Sequence, residues 1–128
     1  MTAGVGAGSG REGRRGQRTP VDLTAIVGGR QKKSARALDL SLVGCLLRTP
    51  APLARGSVLD LTLELPDGPL RTKGRVAEAS IDGEAPPGPQ CFLAGVEFLA
   101  LAASDETRLR SFLDAEIKRR RVENSPPA

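Results

Sequence analysis

The 128-residue chain contains no histidine, tryptophan or tyrosine, and it has only two cysteines and three phenylalanines. Without histidine, the chain lacks the commonest general base and metal ligand, together with every Ser-His or Cys-His nucleophile pair. Cys45 and Cys91 are far apart and form no CxxC motif, so we expect both to be small buried apolar residues. We therefore expect no metal site, no catalytic residues and no enzymatic activity.

Long apolar stretches are also absent. No run approaches the ~20 residues that cross a bilayer, and the opening MTAGVGAGSGREG contains no apolar segment of a signal peptide. We expect a cytoplasmic protein without membrane insertion. The length leaves room for one domain, which we place at residues 14–121, followed by a disordered tail at residues 122–128.

The net charge of +4 is concentrated at the N-terminus. Residues 1–39 carry eight basic and three acidic side chains, which gives +5, whereas residues 40–103 carry −2 and residues 104–128 carry +1. Residues 1–13 are rich in glycine and poor in apolar side chains, so they bury too little surface to fold alone. We expect them to form a disordered arm that leads into the arginine-rich segment.

Alternating apolar and polar residues predict six short strands in the centre of the chain. The clearest is the segment from Val58 to Leu65, in which leucines alternate with polar residues and a Pro-Asp-Gly turn follows. The other five strands are predicted at residues 21–27, 34–41, 45–48, 70–80 and 91–99.

Beyond the last strand the apolar period becomes helical. Ser104 is a suitable N-cap, and Leu109, Phe112, Leu113 and Ile117 fall on one face of the helix that follows. Six strands and one closing helix are typical of an all-β fold, either a small antiparallel barrel or a sandwich, with a C-terminal α-helix.

Two polar clusters lie at matching ends of the first predicted hairpin. One is arginine-rich and directly precedes the first strand, and the other has the pattern Asp-x-Ser-x-x-Gly at the end of the second strand. Either pattern alone is common by chance, so the informative feature is that both occur in this order. The members are Arg14, Arg15 and Arg18 in the first cluster and Asp39, Ser41 and Gly44 in the second.

The chemistry of the two clusters favours a guanine nucleotide. A guanidinium group fits the O6/N7 edge of guanine with two hydrogen bonds, and it also stacks on bases and pairs with phosphates. Asp39 can accept hydrogen bonds from N1–H and N2–H₂ on the other edge of guanine. Asp39 and Ser41 are two residues apart, so we expect them on one strand face. Gly44 would let the backbone approach a ligand closely.

These motifs resemble those of the PilZ domain, the bacterial receptor for cyclic di-GMP. The family's two signatures are RxxxR ahead of the first strand and [D/N]xSxxG after the second. They stand here as Arg14-x-x-x-Arg18 and Asp39-x-Ser41-x-x-Gly44. The stretch Leu93-Ala-Gly95-Val-Glu-Phe98 is similar to the family's final strand. The resemblance covers about residues 11–118.

The resemblance implies a six-stranded antiparallel PilZ-type barrel with a C-terminal helix. It also implies a stand-alone receptor that binds cyclic di-GMP, orders its arm on binding and signals to a protein partner not yet identified. The two arginines of the RxxxR motif would contact guanine and phosphate, with Arg15 as a secondary candidate. Asp39, Ser41 and Gly44 would supply the contacts from the barrel.

Two other functions remain open. The domain could be a PilZ-like protein-interaction module without affinity for nucleotides. It could also be a small basic barrel that binds single-stranded nucleic acid, although such sites use aromatic side chains as stacking platforms. The three phenylalanines, Phe92, Phe98 and Phe112, all fall on faces that we expect to be buried.

Overall fold

The computed structural model describes residues 16–28, 31–83 and 87–123. Six antiparallel strands close into a barrel in the order β1-β2-β3-β6-β5-β4, and one helix follows the last strand. The predicted barrel with a C-terminal helix is confirmed, and the sandwich is excluded. The elements are β1 (Thr19–Val27), β2 (Lys33–Leu40), β3 (Gly44–Thr49), β4 (Val58–Leu65), β5 (Gly68–Ile81), β6 (Phe92–Leu99) and α1 (Ala103–Glu123).

The element boundaries differ slightly from those that the residue pattern predicts. Helix α1 begins at Ala103, where the amide of Glu106 donates to the carbonyl of Ala102 at 2.8 Å, so Ser104 lies inside the helix. The helix also includes Val122 and Glu123, which we expected in the tail. The predicted arm at residues 1–13 and the end of the tail, residues 124–128, lie outside the described residues.

The core is aliphatic. Leucine, valine and alanine side chains from all six strands fill the barrel, and Leu109 and Leu113 of α1 close one end of it. Cys45 is fully buried among them, and burial raises the pKa of its thiol to about 12. Cys91 is only half-buried, so the expectation of a buried cysteine holds for Cys45 and is wrong for Cys91.

Arg108 attaches the helix to the β4–β5 turn. Its guanidinium donates two hydrogen bonds to the Asp67 carboxylate, at 2.9 and 3.1 Å, and others to the carbonyls of Gly68 at 2.8 Å and Pro69 at 3.1 Å. These bonds keep the pKa of Asp67 below its usual range. Helix α1 therefore stabilises the conformation of this turn.

No helix in the described part of the chain is long and apolar enough to cross a membrane.

A bulge in β2 reverses the alternation of that strand. Ala35 and Ala37 point into the core, but the next inward residue is Leu40, because the register of β2 against β3 shifts between Ala37 and Asp39. A bulge of this kind changes the direction of the side chains that follow it. Asp39 consequently lies on the outer face, whereas unbroken alternation from Ala37 would point it into the core.

Candidate functional site

A cavity of about 270 Å³ opens on the outer face of the barrel, where β2, β3, β6 and β5 lie side by side. We refer to it as the groove. Leu46, Leu93 and Gly95 form its floor, from the neighbouring strands β3 and β6. Its polar lining comes from Arg18, Asp39, Glu78 and Ser80.

Arg18 and Asp39 bring the two predicted clusters together at one end of the groove. Arg18 immediately precedes β1, and its Nη1 donates to Oδ1 of Asp39 across a distance of 2.7 Å. No other residue in the described part of the chain bonds to this guanidinium. The two clusters, which lie at matching ends of the first predicted hairpin, therefore meet through Arg18 and Asp39. Residues Arg14 and Arg15 lie outside the described residues.

Ser41 does not share the exposed face of Asp39, because β2 ends at Leu40. Its side chain is buried in the β2–β3 turn, where Oγ accepts hydrogen bonds from the amides of Val43 at 3.1 Å and Gly44 at 3.2 Å. The same hydroxyl donates to the carbonyl of Gly44 at 3.3 Å. Ser41 thus shapes the turn that follows Asp39, and its expected position on the strand face beside Asp39 is wrong.

Gly44 is required by the barrel itself. A Cβ atom at this position would lie 2.3 Å from the backbone carbonyl oxygen of Val96 on β6. The missing side chain therefore allows β3 and β6 to approach each other, and the close approach that we expected toward a ligand is taken up by the chain's own backbone. In the Asp-x-Ser-x-x-Gly motif, Asp39 faces the groove while Ser41 and Gly44 build the turn.

Glu78 and Ser80 are lining residues that the sequence interpretation missed. The register of β5 against β6 shifts between Val76 and Glu78, and this bulge turns both side chains outward. With unbroken alternation after Val76, both would point into the barrel. Their polar character at positions that alternation assigns to the core was the one signal in the sequence that could have located them.

The groove has no aromatic surface. Phe92, Phe98 and Phe112 are each half-buried and none lines the groove, so the stacking platform of a site for single-stranded nucleic acid is missing. Among the residues that the structure describes, no group of three or more His, Cys, Asp or Glu side chains could hold a metal ion.

A larger cavity, of about 490 Å³, lies elsewhere on the barrel. It is bounded by β4, β5 and the link from β6 to α1, and it includes Lys32, Arg71 and the ion pair of Asp60 with Lys73. None of the predicted binding residues that the structure describes lines it. We therefore assign the candidate site to the smaller groove, where Arg18 and Asp39 meet.

Comparison with known proteins connects this geometry to one family. The sequence profile of the PilZ domain matches residues 12–115 of the chain. None of the curated protein sequences compared with the chain matches it.

Solved structures of PilZ proteins share the fold. The PilZ domain of YcgR from Escherichia coli, determined with c-di-GMP, has a TM-score of 0.69 and 15% identity, and the match covers 83% of this chain and 92% of that domain. The Bacillus subtilis inhibitor of motility, MotI/DgrA, has a TM-score of 0.68 and 18% identity, with 84% of this chain covered.

The complex of MrkH from K. pneumonia with c-di-GMP also matches, with a TM-score of 0.68, 17% identity and 84% of this chain covered. The chain spans about half the length of the two larger proteins, with 51% of MotI/DgrA and 53% of MrkH covered.

Proposed function

This chain belongs to the PilZ domain family, and from this premise we propose that it is a receptor that binds cyclic di-GMP in the groove and catalyses no reaction. The observation that carries the proposal is the contact of 2.7 Å between Arg18 and Asp39. It places the last arginine of the RxxxR motif and the acid of the second motif at the same open surface, although they are 21 residues apart.

The charges of the groove support a ligand that carries both guanine and phosphate. The guanidinium of Arg18 can donate two parallel hydrogen bonds to the O6/N7 edge of guanine or to a phosphate. Arg14 and Arg15 precede it by four and three residues, and we propose that they reach the phosphates and the second base. Asp39 lines the site from the barrel. Ser41 and Gly44 contribute indirectly, because they stabilise the turn that follows Asp39.

We further propose that the segment before Arg18 becomes ordered over the groove when the ligand binds. This segment is glycine-rich and basic, so the ligand's negative charge can supply the free energy that ordering costs. The covered groove would then present a changed surface to a protein partner. The YcgR PilZ domain and MrkH were each determined with c-di-GMP, which supports the same ligand class here.

Isothermal titration calorimetry with cyclic di-GMP tests the proposal. The wild type should bind, and Arg14→Ala, Arg18→Ala and Asp39→Ala should each weaken binding by roughly 10-fold to 100-fold, because each removes a charged hydrogen-bonding group. Asp60→Ala is the matched control. Asp60 is an exposed acid that lies outside the groove, and its carboxylate is 2.7 Å from the Lys73 ammonium group. Its affinity should equal that of the wild type.

Two results would contradict the proposal. One is the absence of binding heat from the wild type, which would favour a protein-interaction module without nucleotide affinity. The other is an equal affinity for the wild type and all three groove and arm variants, which would place the ligand elsewhere on the protein.

A further inference from the structure

Glu78 faces the groove from the side opposite to Arg18 and Asp39. We propose that its carboxylate recognises the N1–H and N2–H₂ donors of a guanine base lying in the groove, and that this contact makes the site select guanine over adenine. The inference rests on the proposed function and adds a specificity-determining residue that lies outside both sequence motifs.

The strand register places the two acids at opposite ends of one row. Asp39 is opposite Leu46, Leu46 is opposite Gly95, and Gly95 is opposite Glu78. The row therefore crosses four neighbouring strands, and three strand spacings separate its end residues by about 14 Å along the barrel wall. Both acids line the groove, so a flat ring between them can be hydrogen-bonded from both sides.

The floor between the two acids is low and apolar. Gly95 has no side chain, and the side chain of Glu78 reaches over it, since a Cβ atom built at Gly95 would lie 3.7 Å from the Cβ and 3.8 Å from the Oε2 of Glu78. Leu46 and Leu93 flank this position and are half-buried. A planar purine can therefore lie between Glu78 and Arg18, with one face against the aliphatic carbon of the floor and its edges toward the polar side chains.

The pairing of Arg18 with Asp39 decides which acid reads the base. Asp39 already accepts a hydrogen bond from Arg18, so it positions the guanidinium that binds the O6/N7 edge. The carboxylate of Glu78 has no partner among the residues described by the structure. It is therefore the acceptor available for the N1–H and N2–H₂ edge. Adenine presents an unprotonated N1 acceptor at that position, which a carboxylate repels.

The test compares affinities for three cyclic dinucleotides, measured by calorimetry on the full chain. The ligands are cyclic di-GMP, cyclic di-AMP and cyclic di-IMP, whose hypoxanthine bases keep O6, N7 and N1–H but lack the 2-amino group. The wild type should bind cyclic di-GMP more than 10-fold more tightly than either of the others, because a hydrogen bond to a carboxylate changes affinity by about 10-fold or more.

Glu78→Gln should weaken binding of cyclic di-GMP by about 10-fold and should reduce its preference over cyclic di-IMP. Glu64→Gln is the matched control, because Glu64 is an exposed glutamate on β4, outside the groove. It should keep both the affinity and the preference of the wild type.

Two outcomes overturn the role of Glu78 alone: an unchanged guanine preference in Glu78→Gln, or tighter binding of all three ligands, which would show that Glu78 acts only by repelling phosphate. A wild type that binds none of the dinucleotides overturns the proposed function as well. The wild-type titration therefore separates failure of the receptor from failure of the Glu78 contact.

Discussion

The barrel has two walls of different regularity. The hairpin wall consists of β4 with residues 68–76 of β5, and its ladder runs without a register shift through eight pairs, from Val58 opposite Arg75 to Leu65 opposite Gly68. The groove wall consists of β2, β3, β6 and residues 77–81 of β5, and its ladders contain two register shifts. Unbroken alternation gives the hairpin wall one buried and one solvated face, whereas the shifts turn Asp39 and Glu78 toward a shared surface.

Ion pairs occur on both walls. On the hairpin wall Asp60 is paired with Lys73 at 2.7 Å, an exposed pair of a kind that contributes little to stability. On the groove wall Arg48 is paired with Asp82 at 2.6 Å, whereas Glu78, which lines the groove, has no partner within the described part of the chain. We therefore expect the regular hairpin wall to act mainly on stability, and the groove wall, where Asp39 and Glu78 line the groove, to act on ligand binding.

The same leucine-to-alanine substitution on each wall gives the sharpest test of this division. Leu63 on β4 is fully buried, so Leu63→Ala should reduce the free energy of unfolding by about 2–5 kcal/mol through lost burial and a cavity. Leu46 is half-buried on the groove floor, and Leu46→Ala should cost about 1 kcal/mol while weakening binding of cyclic di-GMP. Urea denaturation measures the first effect and calorimetry the second. An unchanged affinity for cyclic di-GMP in Leu46→Ala would contradict the role assigned to the groove wall.

A glycine substitution tests the close approach of strands on the groove wall. Gly44→Ala would place a Cβ atom 2.3 Å from the Val96 carbonyl oxygen, and the forced separation of β3 from β6 should cost about 1–3 kcal/mol. Gly83→Ala is the control, because nothing lies within 4 Å of a Cβ atom there. Urea denaturation should show a large shift for the first variant and almost none for the second. A stable Gly44→Ala variant that loses only ligand binding would instead support a ligand contact at Gly44.

The smallest expected effect concerns the turn of the hairpin wall. Because Arg108 lowers the pKa of Asp67 in the folded protein, this ion pair stabilises the fold above the unfolded-state pKa of about 3.9. The contribution disappears as the pH falls through the lowered folded-state pKa. Arg108→Gln should therefore lower the Tm near pH 7, and its difference from the wild type should become smaller in strong acid, where only the carbonyl bonds of Arg108 are left to lose.

Arg110→Gln is the control for this titration. Arg110 pairs with Glu106 within the helix at 3.2 Å, and Arg108 is the residue that bonds to the turn. The control should show a smaller change in Tm at neutral pH. A difference between Arg108→Gln and the wild type that is as large at pH 2 as at pH 7 would mean that the carbonyl contacts of Arg108, and not its ion pair with Asp67, stabilise the turn.

Most of the fold could be predicted because its signals are local. The alternating leucines of β4, the Pro-Asp-Gly turn after it and the helical spacing of Leu109 and Leu113 each depend on a few consecutive residues. The bulges in β2 and β5 could not be predicted in this way, because a bulge is defined by the register against a partner strand. Glu78 was missed for this reason.

By itself, the amino-acid sequence determined the six strands, the closing helix and the order of the two polar clusters, since burial periodicity and turn residues act over short stretches of chain. The tertiary structure alone decided that Arg18 would bond to Asp39, that Glu78 would face them across an open floor, and that Ser41 and Gly44 would serve the turn. Those outcomes depend on which strands become neighbours and where their ladders shift, and both are settled only when the barrel closes.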